Sequence, residues 1–150
     1  MSFKRWFSET NPQSEEIFEK AAKASGAALE RYPHPLTDPD GAPISTVTAR
    51  LGAENPERII VVVSGTHGIE GYAGAAIQSA YLDQQGARAL KENEALLMVH
   101  QINPWGCAWS RREDHENIDI FRNLVYCDEP FRENPLYDQY EEGLNPRAWE

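Results

Sequence analysis

The sequence is poor in cysteine. Two stand among 150 residues, Cys107 and Cys127; they are too few for a disulfide scaffold and too far apart for a CxxC motif. Each is expected to be a buried free thiol. The opening stretch, MSFKRWFSETNPQSEE, lacks the apolar core of a secretory signal. No window approaches the roughly 20 apolar residues that cross a bilayer. These absences predict a protein of the reducing cytoplasm with no membrane partner. Positive charge is also short: 14 Lys and Arg stand against 24 Asp and Glu, a formal net charge of -10. Nucleic-acid binding depends on cations that neutralise phosphates, so nucleic acid is not an expected partner. The same balance disfavours anionic membranes and suits a well-solvated surface.

What is present fits one globular domain over residues 1–150. A chain of this length hides roughly 70% of its unfolded surface. Asn11 and Pro12 open a helix, Asn11 as cap and Pro12 in the first turn. Ile17, Phe18, Ala21, Ala22, Ala24 and Leu29 give it a loose apolar face. RYPHPLTDPDGAP reads as turn-forming. ISTVTARLG has strand alternation and is expected to pair with the extended piece near Leu29 to Leu36 as an edge hairpin. Ile59 to Val63 is apolar without alternation, which predicts a strand covered on both faces. GIEGYAGAAIQSAYLDQQGA reads as a helix of small residues, and Ala95 to Ile102 as a second buried strand. Strand, helix and strand make a βαβ unit, and the fold class is α/β. NPWG breaks this pattern, SRREDHENIDIFRN is charged and loop-like, and NPLYDQYEEGLNP reads as a short helix.

The Gly-rich turn after the first buried strand, SGTHGIEGYAGAA, holds the chemistry. A phosphate loop needs Lys and Ser/Thr after its last glycine, and these are missing. Gly65, Gly68, Gly71 and Gly74 do not fit GxGxxG, and Ser64 follows Val63 and Val62 rather than the glycine of a nucleophile elbow. HxxE remains. His67 and Glu70 are three apart, so they project to one side once the chain turns helical. Imidazole nitrogen and carboxylate oxygen both suit zinc. On spacing alone such residues more often form a satisfied surface pair. The position past a strand's carboxyl end favours a ligand site, because open α/β sheets bind ligands in that crevice.

HGIEGYAGAA, then NPWG from Asn103, then RREDHENIDIFRN occur in order. Together they resemble the zinc metallocarboxypeptidase superfamily, and more narrowly an uncharacterised bacterial branch of it. The likeness runs from about Ile59 to Asn123. It implies a three-layer α/β fold with a mixed, mostly parallel sheet flanked by helices. It implies zinc-dependent hydrolysis of peptide or amide bonds, with His67 and Glu70 as metal ligands and a peptide or acyl-amino-acid substrate. Arg112, in preference to Arg111, resembles the arginine that polarises the scissile carbonyl. Arg122 resembles the arginine that grips a substrate carboxylate, a task suited to its bidentate guanidinium. Asp119 and Asn123 resemble residues that hold this loop.

Phe121 stands where the family pattern has Asn, which places an apolar ring where an amide would meet the carboxylate. The superfamily's third zinc ligand and general-base glutamate lie further downstream than LNPRAWE. The expectation is therefore the amino-terminal part of a zinc-carboxypeptidase-like domain, partnered by itself or by a missing carboxyl-terminal half. His100, His115 and His34 are poor third ligands: His100 reads as a core residue, His115 as exposed and His34 as part of a turn. A non-catalytic binding module and an amino-acid deacylase of the desuccinylase or aspartoacylase type are the alternative readings. The module reading predicts an exposed apolar sheet edge.

Overall fold

A computed structural model describes residues 3–122, 130 and 133–144. Its first helix, α1 (Asn11–Ser25), is capped by Thr10 rather than Asn11: the Thr10 hydroxyl accepts the Gln13 N–H at 3.4 Å. Asn11 lies in the first turn, and Gly26 ends the helix in the left-handed region at φ 78. The expected hairpin follows as β1 (Ala28–Thr37) and β2 (Pro43–Gly52), paired antiparallel. Most of the Pro-rich segment is strand, not turn. Prolines are tolerated there because β1 is the sheet edge, and the register shifts between Pro33 and Thr37. The turn itself is confined to Asp38–Ala42, where the Asp38 carboxylate accepts the N–H groups of Asp40 and Ala42.

The βαβ unit is formed by β3 (Arg58–Val63), α2 (Gly68–Gln84) and β4 (Glu94–His100), with β3 and β4 parallel. NPWG opens a short helix, α3 (Pro104–Ala108), and α4 spans Pro135–Leu144. The sheet order is β1-β2-β4-β3. The fold is α/β with a mixed sheet flanked by helices. Its parallel content among the described residues is lower than expected: β1–β2 and β2–β4 are antiparallel, and β3–β4 is parallel.

The core lies between one sheet face and the helices α1 and α2. Phe18, Ala21 and Ala22 of α1 and Leu82 of α2 meet Val47, Ala49 and Leu51 of β2 and Leu96 and Met98 of β4. Burying each large apolar side chain contributes about 1.5–3 kcal/mol. Arg31 extends this layer at its rim through ion pairs to Glu15 and Glu19 of α1. The strand expected to be covered on both faces is not: among the described residues β3 has one neighbouring strand, and Ile59, Ile60, Val61 and Val63 are exposed. A third layer is likewise not seen over that end of the sheet among the described residues. The β3 side chains are apolar on both faces, but the described helices meet only one of them.

Candidate metal centre

His67 directly precedes α2 in extended geometry (φ -106, ψ 131), and Glu70 lies in the helix's first turn. The turn sits at the carboxyl end of β3 because Gly65 takes φ 68 and packs against Gln101, a non-glycine residue at φ 54. Gly68 then presses onto the α3 segment: a Cβ there would lie 2.0 Å from the Gly106 carbonyl. The Gly68 N–H donates to the Arg111 carbonyl at 3.0 Å. These contacts hold the start of α2 against the segment carrying the arginines.

His67 Nδ1 lies 2.8 Å from Glu70 Oε2. His67 Nε2 lies 3.2 Å from Asp119 Oδ1. Asp119 gathers the charged loop: its Oδ2 accepts from Arg112 at 2.8 Å and from Arg122 Nε at 3.1 Å. Its Oδ1 also accepts the backbone N–H groups of Phe121 and Arg122. The Arg112 bond, followed by the His67 and Arg122 contacts, holds the Asp119 carboxyl well below the usual carboxylate range. The same bond pushes the Arg112 guanidinium upward. Asp119 is therefore a fixed anion that orients the His67 ring, the arrangement carboxylates provide to metal-binding histidines.

The His67 side chain is 19% exposed and the Glu70 side chain 67%, so the pair opens outward. The Arg122 side chain is 75% exposed and meets Asp119 through Nε. Arg111 is placed by its backbone, with its N–H donating to Gly106 and its carbonyl accepting from Gly68. Phe121 is exposed. Asn123 and Cys127 lie outside the described residues. Thus His67, Glu70, Arg112 and Arg122 are brought together, with Asp119 as the shared anchor.

Fit to a metal is partial. Among the described residues no group of three or more His, Cys, Asp or Glu could hold an ion. The other histidines are elsewhere, as expected, but two have unexpected settings. His34 is in strand β1, and His115 is half-buried against His34 and Trp105. His100 is fully buried and stacked on Phe18. Cys107 is a buried free thiol whose pKa burial pushes up to about 12, so it is no nucleophile.

Asn103 was not singled out by sequence reasoning beyond its Asn-Pro pair. Its side chain caps α3 by accepting the Gly106 N–H at 2.8 Å and donates to the Glu113 carbonyl at 3.1 Å. It thereby ties the α3 start to the arginine loop. The signal was available: Asn before Pro is a capping pattern.

The fold is similar to solved structures at low identity. A Macrostomum lignano glutaminyl cyclase is 13% identical, with a TM-score of 0.49, over 73% of this chain and 37% of that one. A Zn-dependent exopeptidase from Parabacteroides distasonis is 15% identical, with a TM-score of 0.44, over 97% and 52%. A Porphyromonas gingivalis glutaminyl cyclase is 15% identical, with a TM-score of 0.45, over 97% and 51%. The chain thus spans about half or less of the length of these proteins. No curated protein matches it. The chain belongs to the family described as Protein of unknown function (DUF2817), whose model matches residues 7–150.

Proposed function

We propose that this chain carries part of a zinc hydrolase centre acting on peptide or amide bonds. The observation that carries the reading is the convergence of His67 Nδ1 and Glu70 Oε2 to 2.8 Å, with the opposite ring nitrogen held by Asp119. Zinc would supply a Lewis acid and a bound water of lowered pKa. His67 and Glu70 would hold it, and Asp119 fixes the imidazole so that Nδ1 faces outward. Arg112, next to this anchor, would stabilise negative charge developing on a carbonyl oxygen. Arg122 would fork onto a substrate carboxylate. A third ligand and a general base would have to come from residues outside the described set or from another chain.

Calorimetric titration of the metal-free protein with zinc tests this. The expected result is one weak site per chain, lost in His67→Ala and in Glu70→Gln. Unchanged binding in both variants would sink the metal reading. Hydrolysis of acyl-amino-acid and dipeptide panels then separates deacylase from peptidase.

A second reading rests on the same bonds. His67 faces a carboxylate at each ring nitrogen, so it can serve as a structural knot joining α2 to the 110–122 loop. Under that reading zinc does not bind, and His67→Ala loosens the loop instead.

A further inference from the structure

We infer that Gln78 of α2 is a positioning residue for the His67–Glu70 turn. Its side chain is 2% exposed, and each of its polar atoms has a partner. Nε2 donates to the Val62 carbonyl at 3.0 Å and to the Val99 carbonyl at 3.1 Å. Oε1 accepts the Ser64 hydroxyl at 2.9 Å. Val62 and Val99 are the penultimate residues of β3 and β4, so one amide closes the carboxyl ends of both strands. Only one orientation of the amide satisfies all three bonds, because reversal would set its oxygen against two carbonyls.

The network continues from Ser64 into the turn. Ser64 Oγ accepts the Gln101 N–H at 3.2 Å. The Ser64 carbonyl accepts from Ile102 at 2.9 Å, and the Gly65 carbonyl from Asn103 at 3.0 Å. Gln101 is fully buried and held at φ 54, a conformation that a non-glycine residue keeps only where its surroundings impose it. Thr46 Oγ1 donates to its carbonyl at 2.9 Å. A Cβ on Gly65 would come within 2.7 Å of Gln101 Cα, so the Gly65 turn rests on the Gln101 backbone. His67 follows two residues later. Ser64 and Gln101 thus place it from the strand side.

Gln78 acts from the helix side as well. Gly71, Gly74 and Gln78 share one face of α2, at i, i+3 and i+7. A Cβ on Gly71 would lie 2.9 Å from Gly65 Cα, and one on Gly74 would lie 2.9 Å from Ser64 Cβ. The glycines let the helix lie against the turn, but smooth contacts leave sliding and rotation open. The three Gln78 bonds remove that freedom, and Glu70 in the first turn is carried by the same helix. An apolar side chain would fill this space without the desolvation and ordering of an amide. What the amide contributes is a defined geometry. Its effect on zinc rests on the function proposed above, whereas its hold on the His67 ring does not.

Nitrogen-15 NMR of the His67 imidazole in the metal-free whole chain at fixed pH, followed by zinc titration, tests the inference. Gln78→Met fills the same volume without polar atoms, and Ser64→Ala removes one hydroxyl should the first variant fail to fold. Both should move the His67 ring nitrogens and weaken zinc binding about tenfold, as loss of a residue that orients a ligand does. Leu82→Ala, in the core of the same helix but outside the network, should destabilise the chain and leave the ring resonances in place. Far-UV circular dichroism verifies that the variants are folded. Unmoved His67 resonances, or zinc held as tightly as by the wild type, would overturn the inference. Equal movement in Leu82→Ala would overturn it too, because general loosening would then account for the effect. A wild type that binds no zinc, with a ring that moves in both network variants, would end the zinc reading and uphold the positioning role.

Discussion

His67 and His100 sit at the same end of one sheet, just past β3 and at the last residue of β4, and they do opposite things. His67 meets a carboxylate at each ring nitrogen and keeps an opening to solvent. His100 is fully buried, stacked on Phe18, with Nε2 3.1 Å from the Ser14 hydroxyl and no protein partner at Nδ1 among the described residues. Burial pushes the His100 pKa down to about 3. A histidine becomes an oriented polar ring or a neutral core residue according to what surrounds it. Carboxylates keep a ring polar and oriented, whereas desolvation removes its charge.

The largest expected effect follows from that contrast. His100→Ala should cost about 3 kcal/mol, because it opens a cavity under Phe18 and removes one of the two partners of the buried Ser14 hydroxyl, leaving only Gln101. His67→Ala should cost less, about 1 kcal/mol, because it removes two hydrogen-bond contacts at the rim of the fold and opens no core cavity. Urea denaturation of both variants decides, and equal losses would erase the distinction between the two histidines.

Metal affinity sharpens the other side of the comparison. If Asp119 orients His67, Asp119→Asn should weaken zinc binding by about 10- to 100-fold while His67 and Glu70 remain. Competition with a chromogenic chelator measures this. Zinc affinity unchanged in Asp119→Asn would leave the carboxylate as a fold anchor alone.

Acid sensitivity comes next. His100 has a folded pKa near 3 against an ordinary 6.5, so the unfolded chain binds the proton more readily. Stability is therefore full above pH 6.5 and falls as pH drops toward 3, with a slope of up to about 1.4 kcal/mol per pH unit from this group. Asp119 is depressed from 3.8; its contribution is present above that value and is lost only at lower pH. Urea midpoints between pH 5 and 6.5 thus isolate the histidines. His34, also lowered by burial, adds to the same trend. The slope should shrink in His100→Leu, and an unchanged slope would assign it elsewhere.

The smallest effect is expected at Arg122. Arg122→Ala should change stability by less than about 1 kcal/mol, because its pair with Asp119 is largely exposed. If the arginine grips a substrate carboxylate, the same variant should raise KM for carboxylate-bearing substrates more than for their amides. Equal changes on both would remove Arg122 from recognition.

Much of this was legible from local chemistry. The hairpin, the βαβ unit and the short helix near the end follow from alternation, apolar runs and Asn-Pro turns. The placement of HxxE past a strand end follows from them as well. The prolines of β1 misled because turn propensity says nothing about whether a strand lies at an edge. The continuous apolar run of β3 misled in the opposite direction. Apolarity reports what a strand can bury, and the described residues supply a neighbour on one side only. Asn103 was legible as a helix cap, but its bond to the Glu113 carbonyl is visible only once the loop is folded.

By itself the sequence determined most of the element types, the glycine turn after β3 and the pairing of His67 with Glu70. Each depends on neighbours within a few residues. Tertiary structure decided that Asp119, 52 positions from His67, becomes the hub of the site. It also decided that His100 is neutral while His67 is held by charge. Desolvation and the approach of distant charges set those outcomes, and both arise only when the sheet brings remote segments together.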